Sequence, residues 1–332
     1  MNCIPRKYVR KITSKGYQKM KKNKINFRGS NLAHTYSIVA RDIKTGEMGV
    51  GVQSHYFSVG SIVSWGESGV GVVATQSLVN ASFGLRGLEL LKQGKSPKEA
   101  LDFLISEDEG RDVRQVAILD AQGRVATHTG SKCIIHAGHI VGDNFSVQAN
   151  MMLTDKVWSA MAKSFELNAN LPLAERIIKA MEAAETVGGD IRGKQSAAIL
   201  IVGGKEAKNK WEDKLIDLRV EDNEEPVKEL ERLLKLYRAY KHMDKGDLAM
   251  EHNDMESALK EYDSALNMFP NNLEMKFWTA VTLANNQKIE EASKIFNKVF
   301  NKDNNWRLLA ERLPESDLLT VSKEDLKKIL SL

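Results

Sequence analysis

Every convincing strand-forming run in this chain lies before Glu224-Glu225-Pro226, and the residues beyond that point read only as helix. The change of pattern at that point divides the chain into two differently built parts. Before the break, Thr35–Ala40 and Glu47–Ser54 flank the turn-forming Asp42-Ile-Lys-Thr-Gly46, which predicts a hairpin. Gly69–Thr75, Val113–Asp120, Arg124–His128, Cys133–Val141, Phe145–Asn150, Gln195–Val202 and Leu215–Val220 read as further strands. Between them, Ser96-Pro-Lys-Glu99 supplies an N-cap, a proline at the first helical position and a capping-box glutamate. Trp158, Met161 and Phe165 mark one face of a second helix. A third starts near Pro172 and stops at Gly188-Gly189. Runs such as Val70–Ala74 and Ala197–Val202 are apolar on both faces, as strands between layers are. The expected class is α+β, a layered sandwich over residues 34–225.

The tail, residues 226–332, carries a self-similarity of period 34 that aligns Ala258 with Ala292 and Tyr262 with Phe296. Gly246, Ala258, Tyr262, Ala265 and Pro270 fall at the spacing of a tetratricopeptide repeat. The second unit has Ala280 where glycine is usual, Val299 for alanine and Asn304 for proline. A helix from Val227 and a degenerate tail around Leu308–Leu313 bring the stack to the about three units it needs. An all-α helical-repeat domain is expected there, either a groove for a protein partner or a packing appendage.

The charge of +4 is unevenly spread. Residues 1–30 hold ten of the 48 Lys and Arg and no Asp or Glu, leaving 38 basic against 44 acidic residues, or −6. Residues 1–33 are therefore expected to be a basic, disordered leader on a mildly acidic body. The leader lacks the apolar segment of a secretory signal. A cytoplasmic location is expected, with export left open. No stretch approaches the roughly 20 apolar residues of a membrane span. No nucleic-acid motif occurs in the body, and no nucleic-acid partner is expected. Cys3 and Cys133 are too far apart in sequence to define a disulfide framework.

No P-loop, strand–GxGxxG–helix, HExxH or G-x-S-x-G motif occurs. Gly49-Val-Gly51 and Gly69-Val-Gly71 sit inside strand patterns, where close backbone approach explains them better than phosphate binding. His136 and His139 would point to opposite faces of a strand, and His34, His55 and His128 add no ligand spacing. Neither a metal nor a cofactor is expected. Cys133 reads as a small core side chain or a nucleophile. Thr35 is different, because it opens the first strand. A threonine that becomes the first residue carries nucleophile and base together, its α-amine taking the hydroxyl proton. Such an amine has a pKa of roughly 7.7–8.

His34-Thr-Tyr-Ser-Ile-Val-Ala-Arg-Asp42, Ala74-Thr-Gln76, Gly84-Leu-Arg-Gly-Leu-Glu-Leu-Leu91, Arg114-Gln115, Thr129-Gly130 and Gly188-Gly-Asp-Ile-Arg-Gly-Lys-Gln-Ser-Ala-Ala198 together resemble the domain-of-unknown-function 1028 family over about residues 34–235. That family looks like a branch of the N-terminal-nucleophile hydrolases. The resemblance implies a four-layer αββα sandwich and a nucleophile at the start of the first strand, which Thr35 matches. It also implies an acidic and a basic residue near the first hairpin, for which Asp42 and Arg41 are the candidates. A later polar loop would supply Asp190, Arg192 and Ser196, and Asn150 would donate to an oxyanion. Gln76, Asn80 and His55 would face the substrate. Each of these residues equally fits an ordinary structural hydrogen bond. Family relatives can begin almost at the threonine, whereas here 34 residues precede it.

Two functions are compatible with this pattern. One is amide hydrolysis of a small amide or peptide-like substrate by Thr35 after residues 1–34 are removed. The other is a non-catalytic scaffold in which sandwich and repeats hold a partner. Homo-oligomerisation is left open.

Overall fold

The computed structural model describes residues 32–332, and the chain divides into two compact units after Leu230. Most of the expected leader, with Cys3, lies outside the described residues. Its last two residues depart from that expectation and form strand β1 (Leu32–Ala33).

In the first unit the 34–54 segment folds as the predicted hairpin of β2 (Thr35–Arg41) and β3 (Met48–Ser54). The Asp42 carboxylate accepts from the N–H groups of Lys44 and Thr45, each at 2.8 Å, which fixes the turn. A short helix α1 (Gly60–Val63) and strand β4 (Ser64–Glu67), neither expected from sequence, lead to β5 (Gly71–Leu78). Helices α2 (Ser82–Lys92) and α3 (Pro97–Glu107) come after it, α3 opening on the predicted Ser96–Glu99 capping box. Next come β6 (Arg114–Asp120), β7 (Val125–Thr129), β8 (Gly138–Gly142) and β9 (Phe145–Ala149). The expected strand over Cys133–Val141 is shortened to β8. His136 has φ of +57°, a left-handed turn that a strand cannot hold. Helices α4 (Val157–Leu167) and α5 (Leu173–Thr186) and strands β10 (Ser196–Val202) and β11 (Lys214–Val220) complete the unit.

The strands form two antiparallel sheets. One runs β1-β5-β6-β7 with β4 also on β5, and the other runs β11-β10-β3-β2-β9-β8. Helices α2 and α3 pack on the first sheet, α4 and α5 on the second, and the sheets pack on each other. Side chains alternate across β2. Val39 joins Val50, Val52, Val72, Ala74 and Leu119 in the apolar cluster between the sheets. Tyr36 faces α5, its hydroxyl donating to Glu185. Each fully buried valine or leucine here contributes roughly 1.5–3 kcal/mol. A Cβ on Gly51 would lie 2.3 Å from Ile177, so glycine there lets α5 settle onto β3.

Helix α6 (Pro226–Glu251) leads from the first unit into the second. The second unit continues with α7 (Met255–Met268), α8 (Leu273–Asn285), α9 (Ile289–Phe300), α10 (Asn305–Arg312) and α11 (Lys323–Leu330). The repeat positions are its core. Ala258, Tyr262, Ala265, Ala280, Ala292, Phe296 and Val299 are all fully buried. Among the described residues no helix is long and apolar enough to cross a membrane.

Candidate functional site

The turn at Asp42 pairs Arg41 with Met48, and that register carries Thr35 opposite Ser54. Ser54 pairs in turn with Ser196 on the next strand. Thr35, Ser54 and Ser196 thus form a hydroxyl row at one end of the second sheet, on the face turned toward the first sheet. Asn150, the residue after β9, closes the row on the other side, its N–H donating to the Thr35 carbonyl at 3.1 Å.

The bond between His34 and Thr35 lies in this row. Thr35 is fully buried, and its hydroxyl donates to the Ala33 carbonyl at 2.5 Å. The His34 carbonyl oxygen accepts from Ser54 Oγ at 2.6 Å and from Arg192 Nη2 at 2.7 Å. The Arg192 guanidinium is held by Asp190, whose Oδ1 accepts from Arg192 N and Nε and whose Oδ2 accepts from Nη2 at 2.7 Å. Asp190 Oδ2 also accepts from the His55 N–H at 3.1 Å. The Asp190 side chain is wholly buried, so the ion pair is a fixed cradle rather than a solvated contact. Two donors, one of them charged, therefore bear on the carbonyl joined to Thr35, as an oxyanion site requires.

Beneath this row the space between the sheets is polar. Gln115 Oε1 accepts from Gln76 Nε2 at 2.7 Å and from Asn150 Nδ2 at 2.9 Å. Gln115 Nε2 donates to Thr129 Oγ1 and to the Ala149 carbonyl, each at 2.9 Å. Gln76 Nε2 and Asn150 Nδ2 also reach the Thr35 carbonyl, at 3.3 and 3.4 Å. Gln148 donates to Ser37 at 2.6 Å. Because Asn150 Nδ2 is committed as a donor, its Oδ1 must accept from His34 Nδ1, 2.9 Å away. His34 Nδ1 thus carries a proton. Burial holds its pKa below the ordinary histidine value, outweighing the Asn150 bond that pulls the other way. Gln76 Oε1 is buried without a partner.

Of the ten expected site residues, Thr35, Gln76, Asn150 and Arg192 meet directly around residues 34 and 35, with Asp190 holding Arg192. His55 contributes its backbone N–H, while its side chain is exposed. Ser196 lies two strand spacings from Thr35, roughly 10 Å. Its hydroxyl is used by the Tyr56 carbonyl and the Val59 N–H, so it locks a loop. Arg41 and Asp42 do not join the site. They sit at the other end of β2, roughly 20 Å along the strand. Partial burial pushes the Asp42 carboxyl up, but the Thr45 and Lys44 N–H groups outweigh it and hold the pKa below the ordinary value. Asn80 is likewise local, its Oδ1 accepting from Ser82 at the start of α2.

Ser54, Gln115 and Gln148 belong to the site without standing out in the sequence. Ser54 is legible in retrospect, because the hairpin register fixes the residue facing Thr35. Gln115 is legible as an amide just before the apolar run Val116–Leu119 of the same strand, where a buried polar group needs partners. Cys133 lies in a loop, its Sγ donating to the Arg114 carbonyl at 3.4 Å, and burial raises its pKa. That is not an activated thiol. Among the described residues no three His, Cys, Asp or Glu side chains gather as a metal site.

Comparison with known proteins places these residues in a wider group. The crystal structure of protein SPO2555 from Silicibacter pomeroyi, itself of DUF1028, is 29% identical with a TM-score of 0.55. The match covers 61% of this chain and 85% of that one. A tetratricopeptide-repeat profile matches residues 249–312. No curated protein matches the chain. The profile of the family of unknown function DUF1028 matches residues 35–230, beginning at Thr35 itself, and the chain belongs to that family.

Proposed function

We propose that the Thr35 unit is an N-terminal-nucleophile amidohydrolase, activated when the His34–Thr35 bond is cut, and that the helical unit holds a protein partner. The observation that carries this reading is the His34 carbonyl, which accepts from Ser54 and Arg192 while joined to a buried threonine at the head of a strand. The two packed antiparallel sheets, with a helix pair on each outer side, suit the four-layer αββα sandwich of such enzymes.

In the activating step Thr35 Oγ attacks the His34 carbonyl carbon. The C–N bond breaks as the nitrogen takes the proton that Oγ gives up and becomes the Thr35 α-amine. Water then hydrolyses the resulting ester, releasing the leader as a carboxylate. In turnover the same amine takes the Oγ proton as Oγ attacks a substrate amide, and passes it to the departing amine. Ser54 and Arg192 bear on the developing oxyanion in both reactions. Water, deprotonated by the α-amine, releases the acyl group as an acid and restores Thr35.

Intact mass tests the reading. A mature chain starting at Thr35, and a Thr35→Ala chain that stays uncut, are the expected results. A wild-type chain from its native cell that keeps residues 1–34 would sink it.

A further inference from the structure

We propose that the acyl side of the substrate is an extended peptide that adds as a strand to the edge of β5, where residues 32–34 lie in the uncut chain. This rests on the hydrolase reading above. Strand β4 covers β5 only over Gly71–Ala74. Beyond it, Leu78 and Ser77 are paired with Leu32 and Ala33, so removing the leader bares two residues of sheet edge. A bare edge is a template for another strand, and adding one is a recurrent way of binding peptides. Ser77 has φ of +71°, a backbone state that costs energy outside glycine and clusters where chains bind ligands.

The chemistry of the cut places the peptide. The ester formed in activation has Thr35 Oγ as its alcohol and the chain ending in His34 as its acyl group. An acyl-enzyme made from a peptide substrate is the same kind of ester on the same oxygen, its carbonyl before Ser54 and Arg192. The residues preceding that carbonyl then take the path of Ala33 and Leu32 along β5.

Two side-chain preferences result. The Ala33 methyl is fully buried in the apolar cluster between the sheets, so the second residue from the scissile bond is small. His34 is 2% exposed and satisfies Asn150 Oδ1, whose amide nitrogen is already committed. The residue at the scissile bond therefore brings a hydrogen-bond donor, since an apolar one strands a buried carbonyl. The substrate class is a peptide amide with a small residue followed by a donor such as histidine.

The probe is fluorescein-labelled Leu-Ala-His amide, followed by anisotropy on the full-length protein. Ala33→Asp places a charge in an apolar site and expels the leader strand, and Ala33→Pro removes an N–H from it. Both variants should bind the probe, while the uncut Thr35→Ala chain, its edge filled at high effective concentration, should not. Leu-Trp-His and Leu-Ala-Leu amides should bind roughly tenfold more weakly or worse. Folded variants that bind none of the three, or all three alike, overturn the proposal. If Ala33→Asp does not fold, Ala33→Pro carries the test. Thr35-dependent turnover of another amide, uninhibited by Leu-Ala-His amide, would overturn this inference and leave the hydrolase reading standing. Selective probe binding by a protein that is never cut at Thr35 would support the peptide site and remove the hydrolase reading.

Discussion

Arg192 donates through Nη2 to the carbonyl oxygen of His34, 158 residues away in sequence, at 2.7 Å. The guanidinium is aimed by Asp190, and the acceptor is the carbonyl of the bond whose cleavage would free Thr35. This pairing gives the hydrolase reading its sharpest consequence. An oxyanion donor contributes roughly 2.7–4 kcal/mol at the transition state. Arg192→Ala and Ser54→Ala should each slow cutting at Thr35 by about 10²–10³-fold. Asp42→Ala, at the far end of β2, should leave it unchanged. A time course of intact mass after translation reads all three. Equal rates for Arg192→Ala and the wild type would remove Arg192, and the cradle that aims it, from the mechanism.

Gln115 holds the floor of the site, accepting from Gln76 and Asn150 and donating to Thr129 and the Ala149 carbonyl. Gln115→Leu keeps the volume but leaves two buried amide donors, Gln76 Nε2 and Asn150 Nδ2, stranded except for longer bonds such as those to the Thr35 carbonyl, at 3.3 and 3.4 Å. Each stranded group costs about 1–3 kcal/mol. For a unit of this size each kcal/mol lowers Tm by about 2–4 °C. Thermal unfolding of Gln115→Leu should therefore begin several degrees early.

The contrast between Asp42 and Ser54 shows how far the sequence carries. The hairpin, the α+β class, the helical tail and Thr35 at a strand start are all legible from local pattern. Arg41 and Asp42 look like partners of Thr35 because they are near it in the chain, yet an extended strand separates residues faster than any other element. Ser54 is distant in sequence and adjacent in space because the turn fixes the register. The Gln76–Gln115–Asn150 network joins strands of two sheets, and which faces meet is a tertiary fact that periodicity does not contain. Helix α1 and strand β4 escape a sequence reading because four residues are too few for a period to show.

In the helical unit a single glycine tests the packing. A Cβ on Gly246 would stand 2.3 Å from the Tyr262 ring, which is fully buried and tied by its hydroxyl to Asp247 at 2.7 Å. Gly246→Ala gains up to about 1 kcal/mol of helix propensity. The overlap costs about 1–3 kcal/mol, because the anchored ring cannot swing aside. Overlap wins, and α6 and α7 should loosen. Hydrogen exchange in α7 should accelerate in Gly246→Ala, and slower exchange would mean the ring yields freely.

The buried histidine makes the uncut chain sensitive to acid. Its folded pKa lies below the ordinary value of 6.5, chiefly through burial, so the folded state prefers neutral imidazole. Above pH 6.5 both folded and unfolded chains hold it neutral, and its contribution is fully present. As pH falls below 6.5 the unfolded chain takes up the proton first, so stability is lost until the folded pKa is passed. Protonation also gives His34 a second N–H to satisfy, in a pocket where Asn150 offers one acceptor. The leader strand should therefore leave β5 on acidification, before the rest of the unit opens. In an uncut Thr35→Ala chain, exchange at Ser77 and Leu78 should rise as pH drops below 6.5, after correction for intrinsic rates. Adding His34→Gln should abolish that dependence, because the glutamine amide can donate but does not titrate in this range. A pH response unchanged by His34→Gln would assign the effect to another group.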